Sequence, residues 1–249
     1  MKKFIFALGV LSVLATSPFV YSDNTQSAFG GVETLACDFV DGKDMDDFMK
    51  VVQKWDKWAT GNFSKNYSGN VLVPYFFSDM QHDFYWVGFS PDLASQGIVA
   101  DEWLLKGAAL QKEFDAVAPC STHAQYAWAR VRDDVETPQA EGFVDFASCT
   151  LKPGADSAKM ADADSKMNAF LDKIGNTVRI YRWFPMQGTN MQGADFMQLN
   201  WVGSLTEKGE NADAFVAAGG IQIQASLYDS LVECEGGPTA SYASVGGSN

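Results

Sequence analysis

The most conspicuous chemical groups in this chain are two arginines set in one short apolar run. The segment Thr177 to Phe184 places Arg179 and Arg182 among Val178, Ile180, Tyr181 and Trp183. Successive residues of a strand face opposite ways, so Arg179, Tyr181 and Trp183 share one side and Arg182 takes the other. If that strand is covered on both faces, at least one guanidinium is buried. Burial of a cation calls for a carboxylate, other hydrogen-bond acceptors or an anionic ligand. Asn200 and Trp201 follow on the next apolar run. Arg179, Tyr181, Trp183, Asn200 and Trp201 therefore form the expected ligand pocket, with Arg179 as the anion contact. The alternative is an edge-strand arginine that reaches water along its aliphatic stem or pairs with a nearby Asp.

His82 is the other group suited to chemistry. Beside Asp83 it offers an acid–base pair or an axial haem ligand, and as a surface loop residue it would do neither. The chain has only one other histidine, His123, so a site built from several His is excluded. The run Asp41, Asp44, Asp46, Asp47 offers clustered oxygens for calcium but lacks the order of ligands and the turn glycine of an EF-hand. Helix capping explains it more simply. No phosphate-binding loop, dinucleotide-binding glycine pattern, nucleophile elbow, zinc-protease helix motif or Cys-x-x-Cys occurs. The sequence thus assigns no metal and no cofactor.

These residues sit in 249, of which 47% are hydrophobic and 20% charged, enough for one large or two small domains. Eighteen Lys and Arg against 31 Asp and Glu give a net charge of −13, the wrong sign for phosphate backbones or anionic lipid. The expected partner is a small-molecule ligand, with no nucleic acid and no membrane for the mature form. Lys2 and Lys3 precede an apolar run from Phe4 to Ala15, and Val20 and Ser22 stand at small-residue cleavage positions. That order predicts a signal peptide over 1–22 and a periplasmic or secreted protein starting near Asp23.

An internal repeat organises the rest. Cys37, Asp56-Lys57-Trp58, Gly61-Asn62 and Trp86-Val87-Gly88 recur in the same order, at nearly constant spacing, as Cys149, Asp172-Lys173-Ile174, Gly175-Asn176 and Trp201-Val202-Gly203. Cys120 and Cys234 continue the series, after Phe114-Asp115 and Tyr228-Asp229 respectively. Each half begins with a strand, Leu35 to Val40 or Phe143 to Leu151. A helix follows, capped by Asp44 in the first half and Ser157 in the second. Its apolar stripe is Met45, Phe48, Met49, Val52, Trp55 and Ala59, or Met160, Ala163, Met167, Phe170, Leu171 and Ile174. Two strands come next, Asn70 to Phe77 and Phe84 to Phe89, matched by Thr177 to Phe184 and Phe196 to Ser204. Glycine-broken helical regions, Ala94 to Val117 and Asn211 to Leu231, and final strands, His123 to Val131 and Thr239 to Val245, complete the units.

The order β-α-β-β-α-β is ferredoxin-like, one antiparallel sheet with both helices on one face. The fold class is α+β, a tandem duplication over 32–132 and 142–245 with the two sheets packed face to face. Residues 23–31 form an N-terminal segment, 133–141 an acidic linker and 246–249 a tail. The mature chain is either a monomer, with its sheet faces satisfied internally, or a homodimer. In element order, from Val32 to Val245, the chain resembles the dimeric α+β-barrel superfamily in its fused two-repeat form. That resemblance implies relatives among cofactor-free monooxygenases, small-ring isomerases and haem-handling enzymes, and it carries no catalytic residue to this chain.

Three functions follow as alternatives: an exported binding protein for a small hydrophobic or anionic ligand in an aromatic cavity, an oxygenase or isomerase of the α+β-barrel type, or an interaction module without a ligand. Repeat symmetry and the antiparallel placement of first and last strands favour the pairs Cys37–Cys120 and Cys149–Cys234 in an oxidising compartment. Non-reducing peptide mapping is expected to recover those two cross-linked peptides. A Cys37–Cys149 peptide would overturn the pairing and much of the two-unit reading.

Overall fold

Both halves of the chain follow one order of elements. In the first, β1 (Gly30–Cys37), α1 (Met45–Asn62), β2 (Tyr67–Phe76) and β3 (Phe84–Ser90) lead to α2 (Leu93–Lys106), α3 (Ala108–Asp115) and β4 (Cys120–Arg132). In the second, β5 (Glu141–Leu151), α4 (Ser157–Lys173), β6 (Arg179–Pro185) and β7 (Phe196–Val202) lead to α5 (Leu205–Ala217), α6 (Gly220–Tyr228) and β8 (Val232–Ser248). The structure is a computed structural model that describes residues 29–79, 81–132 and 140–248. The expected signal peptide, and all of the linker but its last two residues, lie outside the described residues. Among those described, no helix is long and apolar enough to cross a membrane.

Local chemistry starts each helix. The Asp44 carboxylate accepts from the Asp47 N–H at 3.1 Å, with Asp46 and Asp47 in the first turn, where carboxylates offset the positive end of the helix dipole. In α4 the cap is Asp156, which accepts from the Lys159 N–H at 2.8 Å, and not Ser157, one position further on. Asp92 and Ser204 cap α2 and α5 in the same way. The expected glycine breaks occur at Gly107, between α2 and α3, and at Gly219, between α5 and α6.

The two four-stranded sheets do not remain separate. Their edges are hydrogen-bonded, β2 to β8 and β4 to β6, and close one antiparallel barrel in the order β1-β3-β2-β8-β5-β7-β6-β4. The inner faces of the halves therefore meet across a barrel interior, and both seams form within a single chain. Element limits also differ slightly from expectation. The first strand begins at Gly30, β5 takes Glu141 from the linker, and β8 runs on through 246–248 in place of a tail. Only the β8 extension serves a seam, where 246–248 pair with Tyr67–Gly69 of β2; Gly30 and Glu141 pair within their own halves.

Alternation along the strands sorts the apolar residues into layers. Val32, Leu72, Val87, Tyr126, Trp183 and Leu199 fill the barrel. The outer face of the first sheet forms one continuous core with α1–α3, built on Phe48, Trp55, Trp86 and Val99. The outer face of the second sheet is different. Its core is split into two small clusters, one around Met160 and Phe196 and the other around Met167, Leu171 and Ile180. The disulfides are Cys37–Cys120 and Cys149–Cys234, each tying the first and last strands of its half at directly paired positions.

The β2–β8 seam depends on close backbone approach at Gly246 and Gly247. Asp56 of α1 accepts from the Gly247 N–H at 2.9 Å, and a Cβ on Gly246, whose φ is +108°, would lie 1.9 Å from that carboxylate. Gly246→Ala is expected to destabilise the fold by about 1–3 kcal/mol in denaturant unfolding. Gly61→Ala, in α1 with nothing within 4 Å of the added methyl, is the control and should be neutral or stabilising.

Candidate functional site

The register of each half shows which residues occupy equivalent places. Cys37 pairs with Phe84 and Cys149 with Phe196, so Trp86 corresponds to Gln198, Gly88 to Asn200 and Phe89 to Trp201. The Trp-Val-Gly triplets that match in sequence are thus out of structural register by an odd number of residues and face opposite ways. Trp86 packs outward on Trp55 of α1 with ring centroids 4.7 Å apart, whereas Trp201 lies inside the barrel, 4.6 Å from Tyr242.

On the same basis Val71 of β2 corresponds to Arg182 of β6. Counting from the caps Asp44 and Asp156 sets Val52 of α1 against Asp164 of α4. Counting back from Cys120 and Cys234 sets Phe114 against Tyr228. In the first half Val52, Val71 and Phe114 belong to one apolar core. In the second, the same three places hold a polar triad. Arg182 donates to both oxygens of Asp164 at 2.7 Å, and the Tyr228 hydroxyl donates to Asp164 at 2.8 Å. Arg182 also lies over the Phe196 ring, 5.1 Å from its centroid. The pair is buried, with side-chain exposures of 9% for Arg182 and 14% for Asp164. Burial, then the Asp164 charge, pushes the Tyr228 hydroxyl well above the ordinary tyrosine range, so it remains a donor.

Around this triad the second half is hollow. A cavity of about 810 Å³ lies between the outer face of β5–β8 and α4–α6, and α5 above it has no buried residue. Where the first half places Tyr67, Trp86 and Gly88, the second has Val178, Gln198 and Asn200. Polar atoms are left over in its walls: Arg182 Nε, Asn168 Oδ1 and Asn200 Oδ1 have no hydrogen-bond partner among the described residues. A buried polar atom without a partner costs about 1–3 kcal/mol, and water or a ligand removes that cost. Lys208 and Asp145 of the cavity wall form a second hydrogen-bonded group with Thr239.

The residues expected from the sequence divide between two places. Arg179, Tyr181, Trp183 and Trp201 share the barrel interior, as strand alternation required. There Arg179 donates to the Tyr242 hydroxyl at 2.8 Å, has no carboxylate partner among the described residues, and neighbours Trp201, whose Nε1 is unpartnered. Asn200, adjacent to Trp201 in the chain, faces the helices and lines the outer cavity instead. His82 joins neither group. Its Nδ1 lies 2.9 Å from Asp38 at the barrel rim, a contact that holds the Asp38 carboxyl below its usual range. Asp83 is not its acid–base partner, because Asp83 accepts the Phe39 N–H at 2.8 Å, just as Asp195 accepts the Leu151 N–H at 2.7 Å in the second half. Both aspartates tie off strand ends. Of the acidic run, Asp44 caps α1 and Asp47 pairs with Lys50, and among the described residues no cluster suits a metal ion.

Asp164, Asn168 and Tyr228 were missed by the sequence reading. The available signal was a carboxylate inside the α4 apolar stripe, at a place where α1 carries Val52.

No protein-family model matches the chain, and neither does any curated protein. Solved structures similar to it include a candidate chlorite dismutase, 9% identical over 87% of this chain and 94% of that one, at a TM-score of 0.52. A candidate monooxygenase from Lactobacillus acidophilus is 9% identical over 88% and 96% of the two chains, at 0.50. Another, from Fusobacterium nucleatum, is 10% identical over 88% and 95%, also at 0.50. At such identities the likeness is one of fold, the α+β barrel. The cavity does not fit a haem held by an axial histidine. Both histidines, His82 and His123, lie in the first half, and the Tyr228 hydroxyl is committed to Asp164.

Replacing one member of the ion pair leaves the other buried without its counter-charge. Asp164→Val is expected to destabilise the protein by about 3–5 kcal/mol, and Asp164→Val with Arg182→Val, which installs the first half's residues, by far less. Chemical unfolding of both variants and of Arg182→Val checks the coupling.

Proposed function

We propose that the protein is an exported small-molecule enzyme of the α+β-barrel type, of oxygenase or isomerase chemistry, whose substrate occupies the second-half cavity. The observation that carries this reading is the replacement of an apolar core by a buried Arg182–Asp164–Tyr228 triad beside a cavity of about 810 Å³, on a fold whose other half surrounds a cleft of about 410 Å³ at the same place with aromatic rings. Nothing in the architecture requires a polar lining there, since the first half does without one. The names of the similar structures, monooxygenase and chlorite dismutase, support an enzyme over a passive carrier.

The cavity selects its ligand by what it leaves unpaired. Arg182 is paired with Asp164 and Lys208 with Asp145, so neither cation calls for an anionic ligand. One donor, Arg182 Nε, and two acceptors, Asn168 Oδ1 and Asn200 Oδ1, are unpaired in residues of a mixed wall, where Met167, Leu171, Ile180 and Phe215 stand beside Lys152, Gln198, Gln224 and Glu233. An uncharged molecule with carbonyl and hydroxyl oxygens on an apolar frame meets those groups. Arg182, held by Asp164, would donate to its carbonyl and stabilise negative charge developing on that oxygen, the requirement common to enolising isomerases and to oxygenases that work without a cofactor. Tyr228 and Asp164 act by fixing the guanidinium.

The triple variant Val178→Tyr, Gln198→Trp, Asn200→Gly puts the first half's bulky side chains into the cavity and narrows it. Native mass spectrometry of the exported protein, purified without reductant, is expected to show a bound organic mass in the wild type and none in the narrowed, folded variant. Retention of that mass in the narrowed variant and its loss in Arg179→Met would place the ligand in the barrel interior and sink the assignment.

A further inference from the structure

The first half has a cleft of its own, smaller and chemically unlike the second. It measures about 410 Å³ and lies between the outer face of the first sheet and α1–α3. Phe48, Trp55, Trp86, Trp103 and Phe114 form its walls, with Trp55 and Trp86 packed at 84° to each other. One end is polar. The Trp86 indole N–H donates to the Tyr67 hydroxyl at 2.8 Å, and that hydroxyl donates to Glu33 at 2.6 Å. The other Glu33 oxygen meets His123 Nε2 at 2.7 Å. No Lys or Arg lines the cleft.

This chain of groups is not a requirement of the fold. At the equivalent places the second half has Asp145 for Glu33, Val178 for Tyr67 and Gly237 for His123, and it forms its strands and disulfide without them. The first half instead holds a carboxylate, with 20% of its side chain exposed, at the end of an aromatic enclosure. Ring faces carry negative potential and attract cations within about 6 Å, and a carboxylate at the same site adds full charge attraction. A protein of net charge −13 favours the approach of a cation further.

We propose that the first-half cleft is a second small-molecule site that takes an organic cation, of the quaternary ammonium class, among Trp55, Trp86 and Trp103 with Glu33 as its counter-ion. The site is independent of the second-half cavity and does not rest on the function assigned to that cavity.

His123 makes the site pH-dependent. Among the residues lining the cleft, only Glu33 on β1, Tyr67 on β2 and His123 on β4 titrate, and α1, α2 and α3 contribute no ionisable group. The hydrogen bond to Glu33 raises the His123 pKa above its ordinary value, and burial raises that of Tyr67. Protonated His123 competes with the ligand for Glu33. As pH rises through the elevated His123 pKa the imidazolium is lost, and Glu33 is left to the ligand. Affinity for a cation therefore increases with pH.

Choline and its uncharged carbon isostere, 3,3-dimethylbutan-1-ol, are the probes, followed by tryptophan fluorescence and calorimetry on the mature protein. Choline is expected to bind about tenfold more tightly than the isostere and to gain several-fold in affinity between about pH 5.5 and 8.5. Glu33→Gln should erase the preference, Trp103→Leu should weaken choline binding, and the narrowed second-half variant should bind choline as the wild type does. Equal binding of the two probes, absence of choline binding to the folded wild type, or affinity that falls with rising pH would overturn the proposal. The wild-type pH series decides the matter even if Glu33→Gln fails to fold.

Discussion

Everything in this molecule depends on closing the edges of two four-stranded sheets. An open sheet edge leaves a row of unpaired backbone N–H and C=O groups, and each half of the chain has two such edges. Duplication within one chain solves the problem, because β2 meets β8 and β4 meets β6 and the ladder returns on itself. The length of β8, the glycines at its end and the hydrogen bond from Gly247 to Asp56 all serve that closure.

Closure separates the interior from the exterior in how the two halves are coupled as well as in space. The barrel interior is shared, so Trp183, Tyr126, Phe89 and Trp201 pack across the two halves, and a change in one is felt by the other. The outer faces are coupled only along the seams, where α1 reaches β8 and β4 reaches α4. Away from the seams each is covered by its own helices and cross-linked by its own disulfide. The first half keeps an aromatic core with one carboxylate at its end. The second trades Val52, Val71 and Phe114 for Asp164, Arg182 and Tyr228 and opens a polar cavity. A buried ion pair adds little net stability over an apolar contact of the same size, so stability alone does not account for this one.

The chemistry of both clefts follows from satisfying or withholding hydrogen bonds. In the second, Arg182 and Lys208 are paired within the protein, and single donor and acceptor atoms are left over. In the first, every hydrogen bond of the Trp86–Tyr67–Glu33–His123 series is made, and the available attraction is the field of the rings and the carboxylate.

The sequence by itself determined the local and the symmetric features. Asp44 as a cap, the order of strands and helices, the helical breaks at glycine and both disulfide pairs follow from residue type, spacing and repetition. Strand alternation likewise put Arg179, Tyr181 and Trp183 on one face. Tertiary structure alone decided which groups meet across the chain. Matching triplets suggested that Trp86 and Trp201 are equivalent, but hydrogen-bond register displaces them by an odd number of residues and so to opposite faces. Asn200 was grouped with Trp201, although neighbours on a strand point apart, and His82 found Asp38 rather than Asp83. Asp164, Arg182 and Tyr228 come from a helix, a strand and a second helix far apart in the chain. Composition and periodicity carry no term for the contact between such elements. That contact is fixed only when the barrel closes and the helices settle on its outer face.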